Sequence, residues 1–243
     1  MEWAARWATS TATAIITATG IPIVTHRITT IMPETAAHLS LMQWLSPGFP
    51  TGAFAYSHGL EQAIAAGDVT DAGSFAHWLG DVLTHGAGWS DAVLLACGLR
   101  GEDLGALDDL ARALAGSAER LHETVEQGAA FARAQEGLRG AAVSLRVLPI
   151  AVAESARELP LLPDQIIALF LHSFAANLVS AAVRLVPLGQ IAGQRVLAGM
   201  HGQITAIARR AAQAKTTDIA TSAFRAEIAA MQHETLDVRL FKT

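Results

Sequence analysis

Apolar residues recur at helical spacing along most of this chain, and no sustained period-two run of β-branched residues interrupts them. That combination is the strongest constraint on the fold, because a 3.6-residue period buries one face of a helix whereas a half-buried strand needs alternation. Phe75, Trp78, Leu79, Val82 and Leu83 follow the i, i+3, i+4, i+7, i+8 pattern, with Asp71 or Ser74 placed to cap the helix start. Leu41, Trp44 and Leu45 form a shorter stripe, and Leu104, Leu107, Leu110 and Leu114 form another. Leu121, Val125 and Leu138 lie along a long helix rich in Glu and Arg, which reads as polar-faced. Pro163-Asp164 opens a helix carrying Ile166, Ile167, Phe170, Leu171, Phe174 and Leu178. A further long helix is expected through Val196, Met200, Ile204 and Ile207, and another from Asp218 to about His233. The expected fold is all-α, a single compact multi-helix domain of about eight to ten helices.

Hydrophobic residues make up 51% of the 243 residues and charged ones only 16%, against about 25% in typical soluble domains. A mean hydropathy of +0.34 raises the question of a membrane. The most apolar stretch, Gln165 to Val186, contains His172, Asn177 and Arg184, and central charges are costly in a bilayer, so it reads as a buried helix of a soluble bundle. Scarce charge also suggests that partners cover part of the surface. A net charge of −5 with no Lys/Arg cluster argues against nucleic acid. The lone Cys97, among Leu94, Leu95 and Ala96, excludes an internal disulfide and reads as a core residue, consistent with a cytoplasmic protein.

Residues 1–33 differ from the rest: Thr-rich, with an apolar core too broken for a signal peptide. They are expected to be a disordered extension or the product of a misplaced start codon, since Met32-Pro33-Glu34 is a natural beginning for the domain proper. The helical domain is then 34–243.

Three stretches stand out against this Ala- and Leu-rich background. Ser46 to Glu61 places Pro47, Pro50, Gly48, Gly52 and Gly59 around the chain's single tyrosine, Tyr56, so Pro47 to Gly52 is expected to be a shaped loop. Arg184-Leu-Val-Pro-Leu-Gly-Gln190, followed by Gly193-Gln194, interrupts two apolar helices. Pro187 deprives the Val183 carbonyl of its donor, and Arg184, Gln190 and Gln194 are placed to supply replacements. The tail ends on Arg239, Leu240, Phe241 and Lys242, an apolar pair flanked by cations, as expected of an end that docks.

Catalytic patterns fail on context. Ala55-Tyr56-Ser57-His58-Gly59 loosely matches a nucleophile elbow, but no parallel sheet is available to carry it, so Ser57 reads as a helix cap or partner contact. His77, Asp81 and His85 share a helix face, yet the histidines are about 12 Å apart along the axis and cannot share one ion. The bland reading is a solvated face with a weak His–Asp pair. No zinc-protease helix motif and no phosphate-binding loop occurs.

Together the three stretches resemble the urease accessory protein F family (UreF). Pro47-Gly-Phe-Pro-Thr-Gly-Ala-Phe-Ala-Tyr-Ser-His-Gly-Leu-Glu61 is similar to its N-terminal signature, Arg184 to Gln194 to its central segment, and Arg239-Leu-Phe-Lys-Thr243 to its ending. The tail departs from the pattern at Asp237-Val238 and at Lys242-Thr243, where Lys lacks the guanidinium fork. The resemblance implies a non-catalytic, homodimeric maturation factor with no tightly bound cofactor. It would complex with accessory proteins D/H and G on apo-urease and promote GTP-dependent nickel insertion, nickel being handled by the complex. It further implies a partner surface at Tyr56, Ser57, His58 and Glu61, a core of that surface at Arg184, Gln190 and Gln194, and a tail (Arg239, Leu240, Phe241, Lys242) ordered on the D/H protein. Two alternatives remain: a module regulating the partner GTPase, and a serine hydrolase using Ser57.

Overall fold

Local signals place most helices where the apolar period predicts. The computed structural model describes residues 32–242, together with the backbone of residues 15–16 and 22–23. The latter form a two-residue antiparallel ladder, β1 (Ile15–Ile16) with β2 (Pro22–Ile23). Apart from that ladder and residues 32–33, the stretch expected to be an extension lies outside the described residues.

Helix α1 (Glu34–Trp44) starts behind Pro33 and buries Ala37, Leu41 and Trp44. A loop and one 3-10 turn (Ala53–Ala55) lead to the short α2 (Leu60–Ala65). For α3 (Ala72–His85) both candidate caps are used: Asp71 accepts from the Ser74 N–H while the Ser74 hydroxyl accepts from the Asp71 N–H, a reciprocal capping box. Gly86 then separates α3 from α4 (Ala87–Leu99), whose residues Gly88 to Gly98 are all buried. Next come α5 (Leu104–Ala113), α6 (Ala118–Arg139) and α7 (Leu148–Ala156). The apolar α8 (Pro163–Leu185) follows. The chain ends with α9 (Gly189–Gly199), α10 (His201–Ala211), a 3-10 turn (Thr216–Asp218) and α11 (Phe224–His233). Eleven helices are described, α2 being only six residues long, and the all-α single domain is as expected.

Helix α8 is the centre, with α1, α2, α3, α4, α9 and α10 packed around it. Neighbours on several sides explain its apolar circumference. It is the one described helix long and apolar enough to cross a membrane, and half of its most apolar window is buried inside the fold.

Three expectations are corrected. The helix predicted through Val196 to Ile207 is two, broken at Met200. The last helix begins at Phe224, not Asp218, because the Ser222 and Ala223 N–H groups donate to the His85 carbonyl and the Asp218 carbonyl accepts from Trp89. The third concerns α6, whose inward face is Glu123, Thr124, Gln127, Gly128, Phe131, Ala132 and Gln135 instead of the Leu121–Val125–Leu138 stripe. Gly128 permits this packing: a Cβ there would lie 2.0 Å from the Arg146 carbonyl oxygen, so residues 146–148 cross directly over α6.

Candidate functional site

The polar face of α6 meets the Tyr56 loop, α2, α11 and the chain's last residues at one end of the domain. Glu119, Glu123 and Glu126, at i, i+4 and i+7, form one stripe along the helix. Each member has partners from distant sequence. Glu119 accepts from Arg239 Nη1 at 2.7 Å and pairs with His233 Nδ1 at 2.7 Å. Glu123 pairs with His58 Nδ1 at 3.2 Å and accepts from Gln127. Glu126 accepts from the Tyr56 hydroxyl and, at 2.9 Å, from Lys242 Nζ.

Glu61, on α2, is the junction. Its Oε1 accepts the Leu240 N–H at 2.8 Å and its Oε2 accepts the Phe241 N–H at 3.0 Å. The same carboxylate faces His233 Nε2 at 3.1 Å. His233 is fully buried between Glu61 and Glu119, and it donates to both when both ring nitrogens carry protons. The tail is thereby held by backbone as well as side chains. The Lys242 N–H donates to the Ala55 carbonyl at 2.7 Å, and the buried Phe241 ring lies 5.8 Å from the Arg184 guanidinium. Lys242 Nζ also sits 5.5 Å above the Tyr56 ring.

The loop geometry that delivers Tyr56 and Glu61 depends on positive φ. His58 and Gly59 have φ of 57° and 76°, which turns the chain sharply into α2. A Cβ on Gly59 would meet the Ala230 nitrogen at 2.7 Å, so glycine lets α11 press against the start of α2 and bring His233 to Glu61. Asn177 of α8 donates to the Tyr56 carbonyl and fixes the loop from the other side.

Beneath this face lies a second buried group. Arg120 donates to Asp91 at 2.6 Å and approaches Glu123 at 3.7 Å. Burial works against the charge on Arg120, but Asp91 and Glu123 outweigh it and push its pKa up. Burial raises Glu123, yet Arg120, His58 and Gln127 more than offset this and hold it low, whereas for Asp91 burial wins and its pKa is raised. A cavity of about 370 Å³ reaches this group between Ser46, Phe54, Asn177 and Arg184, and a smaller one of about 60 Å³ lies on its far side beside His58. Burial, then the Glu126 acceptor, pushes the Tyr56 hydroxyl well above its usual range.

The sequence-selected residues divide accordingly. Tyr56, Ser57, His58 and Glu61 are buried, so in this conformation they build the site from inside, contrary to the partner-facing role the resemblance implies for them. Ser57 lines neither cavity, and its Oγ accepts the Glu61 N–H in the first turn of α2, the capping role. Arg184 reaches the Phe54 carbonyl at 3.4 Å. Gln190 and Gln194 stand exposed on α9 and make no side-chain hydrogen bond among the described residues, so they do not repair the break at Pro187. The His77–Asp81 pair is exposed at 3.7 Å, the solvated pair expected. Burial pushes the Cys97 thiol up to about 11, as fits a core residue. Sequence spacing alone does not reveal Asp91, Glu119, Arg120, Glu123, Glu126 and His233 as members of this site. The i, i+4, i+7 glutamates were visible but indistinguishable from a solvated face.

Fold and site define an all-α domain whose charged C-terminal segment closes over its own N-terminal loop. A family model described as UreF matches residues 69–201. A protein of Cereibacter sphaeroides is 58% identical over 208 residues, covering 86% of this chain and 99% of its own length. Proteins of Paracoccus denitrificans and Roseobacter denitrificans are 51% and 50% identical over 217 residues each, covering 89% and 88% of this chain and 100% and 97% of their own lengths. All three are named urease accessory protein UreF. The chain belongs to the UreF family.

Proposed function

We propose that this chain is a non-catalytic, cytoplasmic urease maturation factor. It assembles with accessory proteins D/H and G on apo-urease and promotes GTP-dependent nickel insertion, the metal being cargo of the complex. The observation that carries the reading is how the tail is presented. Leu240 is 74% exposed although its own N–H is fixed to Glu61, and Val238 is 78% exposed beside it. An apolar side chain held outward on a hydrogen-bonded backbone has part of its ordering entropy already offset before a partner arrives. In this reading Tyr56, His58 and Glu61 position the tail, while Val238, Arg239, Leu240 and the exposed Phe54 are what the D/H protein touches.

Pull-down with the D/H and G proteins tests it. Deleting Arg239 to Thr243 should abolish the D/H complex and leave helicity unchanged. Leu240→Asp should do the same while keeping the backbone bonds to Glu61. Full binding by both variants would sink the tail assignment.

A further inference from the structure

The tail and a buried histidine share their acceptors. His233, the last residue of α11, is fully buried, with Nδ1 2.7 Å from Glu119 of α6 and Nε2 3.1 Å from Glu61 of α2. These two carboxylates are also the ones that hold the tail: Glu61 takes the Leu240 and Phe241 N–H groups, and Glu119 takes Arg239. The sharing is closest at Glu61 Oε2, which faces both His233 Nε2 and the Phe241 N–H. The exposed His77 and His122 each face one carboxylate, a contact that a neutral ring can satisfy.

We propose that His233 is a positioning residue for the tail and acts as the imidazolium, so that docking of residues 239–242 is linked to a proton on this ring. A neutral imidazole has one N–H and one lone pair. Between two carboxylates it can donate to only one, and its lone pair then confronts an oxygen of the other in a site closed to water. With the tail away, Glu61 and Glu119 are free to turn from the ring. With the tail docked they are not, because two backbone N–H groups pin Glu61 and Arg239 pins Glu119. Docking therefore selects the ring with both nitrogens protonated, and by reciprocity the proton favours docking. The sign follows: docking is strongest where the ring is charged and weakens as rising pH removes the proton.

The surrounding charges favour the same form. Glu61 and Glu119 face the ring from α2 and α6, while Arg239 reaches it only through Glu119. Farther along α6, Glu123 is occupied by His58 and Arg120, and Glu126 by Lys242. Beyond the end of α11, Glu234 is turned to the Ala118 N–H at 2.9 Å. Two carboxylates against one arginine leave a single negative charge, which the imidazolium cancels. Arg239 repels the charged ring, but its side chain is 43% exposed and solvent screens it. The linkage concerns the tail on its own domain and does not depend on capture by a partner.

The test is made on the full chain, labelled with nitrogen-15, across a range of pH. Ring nitrogen shifts report how many protons His233 carries. Hydrogen exchange at the Leu240 and Phe241 amides, corrected for its intrinsic pH dependence, reports docking. Protection should fall at least about ten-fold, the worth of one charge-assisted hydrogen bond, over the pH interval in which the ring loses its proton. His233→Gln should weaken protection and leave it flat across that interval. If that variant fails to fold, Glu119→Gln decides. Its amide can accept from Nδ1 or donate to it, which admits the neutral ring, so the fall should shrink. A His233 ring with one bare nitrogen while both amides stay protected would overturn the proposal. So would a fall of wild-type size in either variant.

Discussion

Replacing Glu61 with alanine removes the acceptor for two consecutive backbone N–H groups, at 2.8 and 3.0 Å, and one of the two carboxylates on a fully buried imidazole. Hydrogen bonds to charged groups contribute about 1.5–3 kcal/mol each, so the tail loses about 3–6 kcal/mol of gross holding energy. It need not leave those N–H groups buried, because it can lift away and give them to water. The local and global effects should therefore differ. The docking equilibrium of residues 239–242 should fall by about two to four orders of magnitude, whereas the loss in unfolding free energy is capped by the net docking energy plus whatever His233 forfeits. Hydrogen exchange at the Leu240 and Phe241 amides reads the first quantity, and urea denaturation the second. Glu61→Gln keeps one acceptor oxygen and should fall between. In a chain lacking Arg239 to Thr243, Glu61→Ala should cost less than in the full chain, since only the His233 contact remains. Amides at 240 and 241 that stay protected in Glu61→Ala would refute the reasoning.

The buried Arg120 group offers a larger effect: Arg120→Met leaves Asp91 and Glu123 buried without their cation and should lower unfolding free energy by about 3–5 kcal/mol, checked by the urea midpoint. Glu126 is held low, at about 2, first by the Tyr56 hydroxyl and then by Lys242. A carboxyl depressed in the folded state stabilises above its unfolded value of about 4.3, and that contribution is lost as pH falls through the folded pKa. Tyr56→Phe should therefore move the Glu126 midpoint upward in a carboxyl NMR titration, and an unmoved midpoint would deny the bond. Gly52 and Gly59 both have positive φ, but only at Gly59 would a Cβ strike backbone, so Gly59→Ala should cost about 1–3 kcal/mol more than Gly52→Ala in thermal denaturation.

What was legible in the sequence was local. Helix α3 could be placed because its capping box and its five core positions, Phe75 to Leu83, all lie within fourteen residues. Helix α6 could not be oriented. Glu123 is buried, with Glu119 and Glu126 towards the rim, because His58, Arg239 and His233 come to this stripe from up to 120 residues away, and burying charge is tolerable only once such partners arrive. Nothing within α6 itself distinguishes that stripe from a solvated one. Tyr56 and Glu61 are buried, which the sequence does not signal, because a buried polar residue and a docking residue look alike in one sequence. The break at Met200 left no signal either, since the residue keeps right-handed helical torsions of −80° and −12° and the apolar spacing runs on.

The charged closure also bears on the proposed capture of this tail by a partner. Of its last four described residues only Phe241 is buried, and one buried aromatic contributes about 1.5–3 kcal/mol. Fixing the six residues from 237 to 242 costs about 1–2 kcal/mol each, or about 6–12 kcal/mol, so apolar burial alone would leave the segment loose. The two bonds to Glu61 add about 3–6 kcal/mol, and the Lys242–Ala55 backbone bond about 1. Arg239–Glu119 and Lys242–Glu126, with cations that are 43% and 55% exposed, add no more than about 1 each. The opposing totals lie within a few kcal/mol of each other, so the docked tail is marginal. A partner that covers Leu240 and Val238 adds apolar burial on the one side the domain leaves open, and an interaction of that size is enough to move a marginal segment from fluctuating to fixed.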